Sequence, residues 1–135
     1  MRGLLADVNC EGHVDRLVRL MEAESRREVW EYLQLQVFRF SGFDLRPETP
    51  DRDVWILCQE EQLSLVTANR NAREDDSLEA AIRELNDARC LPVFTISNPV
   101  RLKRNAAYAN RIADKFLEYL FDIDRHLGVG RIYLS

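Results

Sequence analysis

Apolar and polar positions switch between two periods along the chain, and the switches mark the elements. Gly3-Leu4-Leu5-Ala6-Asp7-Val8-Asn9 is a short apolar run ending in an acid. It predicts a central strand buried on both faces, as in a parallel sheet. From Gly12 to about Glu24 the apolar residues Val14, Leu17, Val18 and Met21 fall at helical spacing. Ser25 is placed to cap a second helix through Val29, Trp30 and Leu33. Gln36-Val37-Phe38-Arg39-Phe40 alternates and predicts a more exposed strand, followed by a loop from Ser41 to Pro47.

The next stretch carries the strongest local signals. Thr49 is suited to cap a helix and Pro50 to occupy its first position, with Asp51 and Asp53 in the first turn where the dipole favours negative charge. Val54, Leu57 and Cys58 form the expected apolar stripe, and Glu60, Glu61 and Gln62 the wet side. Leu63-Ser64-Leu65-Val66-Thr67 then reads as a buried strand that stops in the polar run Ala68-Asn69-Arg70-Asn71. Asp75-Asp76-Ser77 starts a helix through Leu78, Ile82 and Leu85, and Pro92-Val93-Phe94-Thr95-Ile96 is the following strand. Asn98-Pro99 repeats the cap-plus-proline signature and predicts one long helix to about Leu127. Its stripe is Leu102, Ala106, Ala109, Ala113, Phe116, Leu120, Ile123 and Leu127, packed on the chain's own sheet in preference to another helix. Gly128 and Gly130 end it, and Arg131-Ile132-Tyr133-Leu134 is the last strand.

Five strands separated by helices predict an α/β fold: a three-layer α/β/α sandwich around a mostly parallel five-stranded sheet. With right-handed crossovers the loops after the strands gather along one edge. That edge collects Asp7 and Asn9, Asn69 to Arg73 and Ser97 to Arg104, with the helix starts at Asp51 and Asp75 on the same side.

Composition narrows the class. At 135 residues the chain is expected to form a single domain, 1–135, and 46% hydrophobic with 31% charged residues is an ordinary globular balance. No apolar run approaches the ~20 residues that span a bilayer, and Met1-Arg2-Gly3 leads straight into a strand, so a cytoplasmic protein without a membrane partner is expected. Cys10, Cys58 and Cys90 are widely spaced and fit reduced core thiols. The net charge of −4 does not advertise nucleic-acid binding, although a local basic rim matters more than the total. Arg101, Lys103 and Arg104 near the start of a long helix, with Asp122 and Asp124 near its end, oppose the dipole at about 0.3–1 kcal/mol each. A neighbouring acid or a bound phosphate backbone is expected to compensate.

Asp7, Asp51 or Asp53, and Asp75 or Asp76 are placed to converge in one acidic pocket. Converging carboxylates need protonation or a divalent cation. Magnesium held by one or two carboxylates plus water suits phosphodiester hydrolysis. No Ser-His-Asp arrangement competes with it, and His13 and His126 read as surface or packing residues.

The succession of Leu4-Leu5-Ala6-Asp7-Val8-Asn9, Pro50-Asp51-Arg52-Asp53-Val54-Trp55 and Leu65-Val66-Thr67-Ala68-Asn69-Arg70-Asn71 resembles the PIN-like domains. The resemblance covers roughly the first half of the chain. It implies a PIN-like α/β/α fold and a Mg2+- or Mn2+-dependent ribonuclease acting on single-stranded RNA, often as the toxin of a toxin–antitoxin pair. Asp7 matches the first-strand acid and Asp51 the helix-opening acid; Asn69 falls where a third acid is expected and Asn71 where another often follows. Asparagine ligates a cation through its carbonyl oxygen but adds no charge, so either Asp75 or Asp76 substitutes or the site is inactive. On this reading Asp7, Asp51 and Asn69 are catalytic, Asp7, Asp51 and Asp75 hold the metal, and Arg70 and Arg104 hold RNA phosphate. The competing class is a degenerate PIN-like module that binds RNA or protein without cleavage, and a third is a small-molecule phosphate binder. An antitoxin or other protein partner and a homodimer are the remaining expectations.

Overall fold

Short apolar segments form an all-parallel ladder in the computed structural model of the chain, which describes residues 1–68 and 77–135. The strands are β1 (Gly3–Ala6), β2 (Gln36–Arg39), β3 (Leu63–Ala68), β4 (Val93–Ile96) and β5 (Arg131–Leu134). They lie in the order β2-β1-β3-β4-β5. Six α-helices flank them among the described residues: α1 (Glu11–Met21), α2 (Arg27–Leu33), α3 (Asp51–Glu60), α4 (Ser77–Leu85), α5 (Pro99–Arg104) and α6 (Ala106–Phe121). The architecture is the three-layer α/β/α sandwich. No helix among the described residues is long and apolar enough to cross a membrane.

Alternation along the strands divides the core in two. Leu4, Ala6, Val66, Phe94, Ile96 and Leu134 face α1, α2, α5 and α6. Leu5, Leu63, Leu65 and Val93 face α3 and α4. β1 lies inside the sheet but β3 is its middle strand, and β2 is an edge strand with most of its residues exposed.

The helix layers show that one crossover departs from the rule. β1 to β2 steps one way across the sheet on the α1/α2 face, while β2 to β3 and β3 to β4 step the other way on the opposite face. These three share one hand. β4 to β5 also steps that second way, but through α5 and α6 on the α1/α2 face, so its hand is opposite. β5 explains the choice. Ile132 and Leu134 point to the α6 side, whereas Arg131 and Tyr133 alternate onto the other face. On that other face Arg131 pairs with Glu79 of α4 at 3.3 Å, while α6 is needed to bury Val14, Leu17 and Met21 of α1.

Several local expectations change for identifiable reasons. The first strand ends at Ala6, not Asn9, because Asp7 turns into a 3-10 turn at Val8–Cys10, with Cys10 N–H donating to Asp7 C=O at 3.0 Å. Ser25 sits inside another 3-10 turn and does not cap α2. Thr49 caps no helix either: its hydroxyl accepts from Arg46 N–H at 3.0 Å, and α3 begins after Pro50. Trp55, rather than Leu57, joins Val54 and Cys58 in the buried stripe of α3. Gly128 and Gly130 do end the helical region, both at positive φ of 84° and 85°.

The long C-terminal helix is two helices. Asn105 leaves helical geometry at φ −119° and ψ 108°, and its side chain accepts from Tyr108 N–H at 2.9 Å to cap α6. The apolar spacing runs through this break, which hides it. Arg101, Lys103 and Arg104 therefore lie at the carboxyl end of α5, where cations are favourable, so no compensation is required of a neighbour. Ala106 is exposed, and the buried face of α6 is Tyr108, Ala109, Ile112, Ala113, Phe116, Leu117 and Leu120.

Candidate functional site

In an open parallel sheet, ligands bind beyond the carboxyl ends of the strands where the strand order reverses. Here that point lies between β1, from which the chain moves outward to β2, and β3. Asp7 follows β1 at this point and its N–H donates to Val66 C=O of β3 at 2.9 Å. Only 8% of Asp7 is exposed. A carboxylate this far from water is costly unless it has partners or a counter-ion.

Asp7 continues the Leu5 side of β1, towards α3 and α4. Its charge is felt by Cys58 in α3, whose thiol is pushed up to about 12, first by burial and then by Asp7. The β1/β3 register ends at the Ala6–Val66 pair, so Asp7 follows it beside Thr67, which pairs with Thr95 of β4. The buried hydroxyls of Thr67 and Thr95 hydrogen-bond each other at 3.1 Å. Trp55, also buried in this layer, has no hydrogen-bond partner for its Nε1 among the described residues.

The Cys58 shift has a pH signature. A thiol whose folded pKa lies above its unfolded 9.0 contributes stability below pH 9 and loses it as pH rises towards 12. Urea unfolding is expected to show a steeper alkaline loss of stability in the wild type than in Cys58→Ala, by up to about 1.4 kcal/mol per pH unit. Asp7→Asn should bring the Cys58 pKa part of the way down, read as thiolate absorbance. An unchanged titration would place Asp7 away from α3.

Asp51 is half-buried in the first turn of α3, and its carboxylate accepts from the Ser77 hydroxyl of α4 at 2.5 Å. Helices that return to antiparallel positions start where the strands end, so Asp51, Ser77 and Asp7 share the carboxyl edge. Asp53 lies exposed two positions further along the same turn. Ser77 is the residue that sequence reasoning treated only as a helix start. Its signal was its place directly after two acids.

Arg104 is exposed at the end of α5, also on the carboxyl edge. Asn69, Arg70, Asn71, Asp75 and Asp76 lie outside the described residues. Among the described residues no group of three or more His, Cys, Asp or Glu is gathered as a cation cage. The carboxylates of Asp7 and Asp51 and the nearby hydroxyls are nevertheless hard oxygen donors. Such donors suit Mg2+ or Mn2+, which keep several waters and need only one or two protein carboxylates.

The three cysteines behave as expected of core thiols: Cys10 and Cys58 are buried, Cys90 is half-buried, and none forms a disulfide. His13 is held below its ordinary pKa by burial and by Lys103, while His126 packs edge-on against Tyr119 with centroids 5.0 Å apart. A cleft of about 540 Å3 lies between α6 and β5, lined by Lys115, Tyr119, His126 and Tyr133 among others. It includes none of the acids at the carboxyl edge.

The fold and this edge define a doubly wound α/β protein with a buried acid at its switch point. Comparison of the chain with protein-family models, curated proteins and solved structures finds no match.

Proposed function

We propose that the protein is a PIN-like, divalent-metal-dependent ribonuclease that cleaves single-stranded RNA at the carboxyl edge of its sheet. The observation that carries this reading is the burial of Asp7 at the β1/β3 switch point, on the edge where Asp51 opens α3. Asp7 and Asp51 would hold the ion, with Asp75 and Asn69 as further candidate ligands. Bound there, Mg2+ or Mn2+ supplies an acidified water and positive charge against the phosphoryl oxygens. The chain's own residues do the positioning. β1, paired on both sides, fixes the Asp7 backbone. The Ser77 hydroxyl donates to Asp51 and restricts its rotamers, and Arg104 with Arg70 is assigned to RNA phosphate.

The test is cleavage of a labelled single-stranded RNA with Mn2+, Mg2+ or EDTA. Cleavage in either metal and none in EDTA is expected; metal-independent cleavage that survives Asp7→Asn overturns the reading. The narrower form, a toxin-type endoribonuclease, predicts growth arrest on expression that Asp7→Asn relieves.

One observation favours a second reading, a catalytically degenerate module that binds RNA or protein. Asp51 is already engaged by Ser77, and asparagines stand at 69 and 71 where the family pattern places acids. RNA retained in EDTA, with no cleavage in any metal, selects this reading.

A further inference from the structure

The chain is acidic overall, yet its charge is unevenly distributed. Between Asp87 and Asp114 there is no Asp or Glu, while Arg89, Arg101, Lys103, Arg104 and Arg111 all fall in that span. Four of these cations belong to α5 and the first turns of α6, and all four are exposed. Among the described residues none of the four has a carboxylate within ion-pair distance. Arg2 pairs with Glu61, Arg27 with Glu31, and Arg39 with Glu11 and Asp15. Arg19, Arg83, Arg89 and Arg125 are exposed without such a pair among the described residues, but they are dispersed over separate elements, whereas the four on α5 and α6 are clustered.

Two members of the patch are held in place. The guanidinium carbons of Arg101 and Arg111 stand 4.3 and 5.2 Å from the centroid of the Tyr108 ring, which is itself buried in the core. Stacking on one fixed ring restricts both side chains before any ligand arrives and leaves their N–H donors available. Lys103 extends the patch towards His13 of α1. α5 follows β4 directly, so the patch borders the carboxyl edge on the α1/α6 side, opposite the Asp51–Ser77 contact.

We propose that Arg101, Lys103, Arg104 and Arg111 form a preorganised clamp for the phosphodiester backbone of single-stranded RNA, leading the strand to Asp7 from the α5/α6 side. This deepens the ribonuclease reading and rests on it for the identity of the strand. Unpaired cations spaced along two helices match a polyanion with a regular charge repeat. Arginine forks suit phosphate oxygens, and the patch offers no exposed aromatic face for bases. The clamp therefore sets affinity and approach, with little choice of sequence.

The experiment measures anisotropy of a fluorescein-labelled, mixed-sequence single-stranded RNA in EDTA over a salt series, with cleavage in Mn2+ read separately. The clamp variant is Arg101→Gln, Lys103→Gln, Arg104→Gln and Arg111→Gln together. A control of equal charge change carries Arg19→Gln, Arg83→Gln, Arg89→Gln and Arg125→Gln, near the amino end of the sheet. The clamp variant should lose roughly tenfold or more in affinity, and its salt slope should flatten by about 2–3, at about 0.7 per phosphate contact. The control should bind like the wild type, and thermal melts should be alike for all three. Equal loss in both variants, or wild-type binding by the clamp variant, overturns the clamp. Tighter binding of a labelled oligo-glutamate peptide than of RNA overturns it in favour of an acidic protein partner. Asp7-dependent cleavage that the clamp variant leaves intact refutes the clamp alone. Clamp-dependent binding without cleavage refutes the nuclease reading alone.

Discussion

Asp7→Asn is expected to lower metal-dependent RNA cleavage by at least about 100-fold while leaving the melting temperature unchanged or raised. The two halves of that result belong together. Outer-shell partners of a metal ligand already cost about 10–100-fold when removed, and a direct ligand should cost no less. Stability should move the other way. The Asp7 carboxylate is only 8% exposed and its charge raises the buried Cys58 thiol, so removing that charge takes away one unfavourable contact. On the proposed function, Asp7→Asn removes the ion's ligand while still filling the same space. A structural acceptor would behave oppositely, with Asp7→Asn unfolding earlier and cleaving RNA normally once folded. Ser77→Ala separates positioning from ligation: loss of the hydroxyl that holds Asp51 should reduce cleavage less than Asp51→Asn does, by about tenfold.

Phe94→Ala should cost about 3–5 kcal/mol, a large share of the about 5–15 kcal/mol that holds a domain folded. Phe94 is fully buried on the α6 side of β4, with its ring 4.9 Å from that of Phe116 and 6.1 Å from that of Tyr119. The aromatic contact exists because α6 returns over the α1/α2 face. Thr95→Ala, one residue along and on the opposite face, should cost only about 1 kcal/mol, the value of one hydroxyl pair. Chemical denaturation measures both. A Phe94→Ala cost below Thr95→Ala would mean that the layer over β4 is on the other side.

That contrast shows what the sequence could and could not convey. Each strand was legible because its core has a local pattern, and the sandwich followed from their alternation with helices. Strand order and the face chosen by α6 were not legible. They depend on contacts between α1 and α6 that lie far apart in the chain. The break at Asn105 was written in the same cap chemistry as Asn98, but the apolar spacing of Leu102, Ala106 and Ala109 passed smoothly through it. Thr49 had the right residue type for a cap and spent its hydroxyl on Arg46 instead.

At the site, Asp7 was legible because an acid directly after an apolar strand is exceptional. Asp51 looked like routine first-turn chemistry, and only its bond to Ser77 across two helices sets it apart. The basic cluster of Arg101, Lys103 and Arg104 was legible, but Arg111 and the stacking on Tyr108 were not. A single helix from Asn98 made the charges of Arg101, Lys103 and Arg104 look misplaced, whereas the break at Asn105 puts them in the last turn of α5.

Mn2+ binding to the wild type, Asp7→Asn, Asp51→Asn and the double variant, by titration calorimetry, tests most directly whether the two carboxylates share one hard cation. One ion per chain is expected, weakened to a similar degree by either substitution, with little further loss when both are combined. Unaltered Mn2+ binding in Asp7→Asn, or losses that simply add in the double variant, would contradict a shared site.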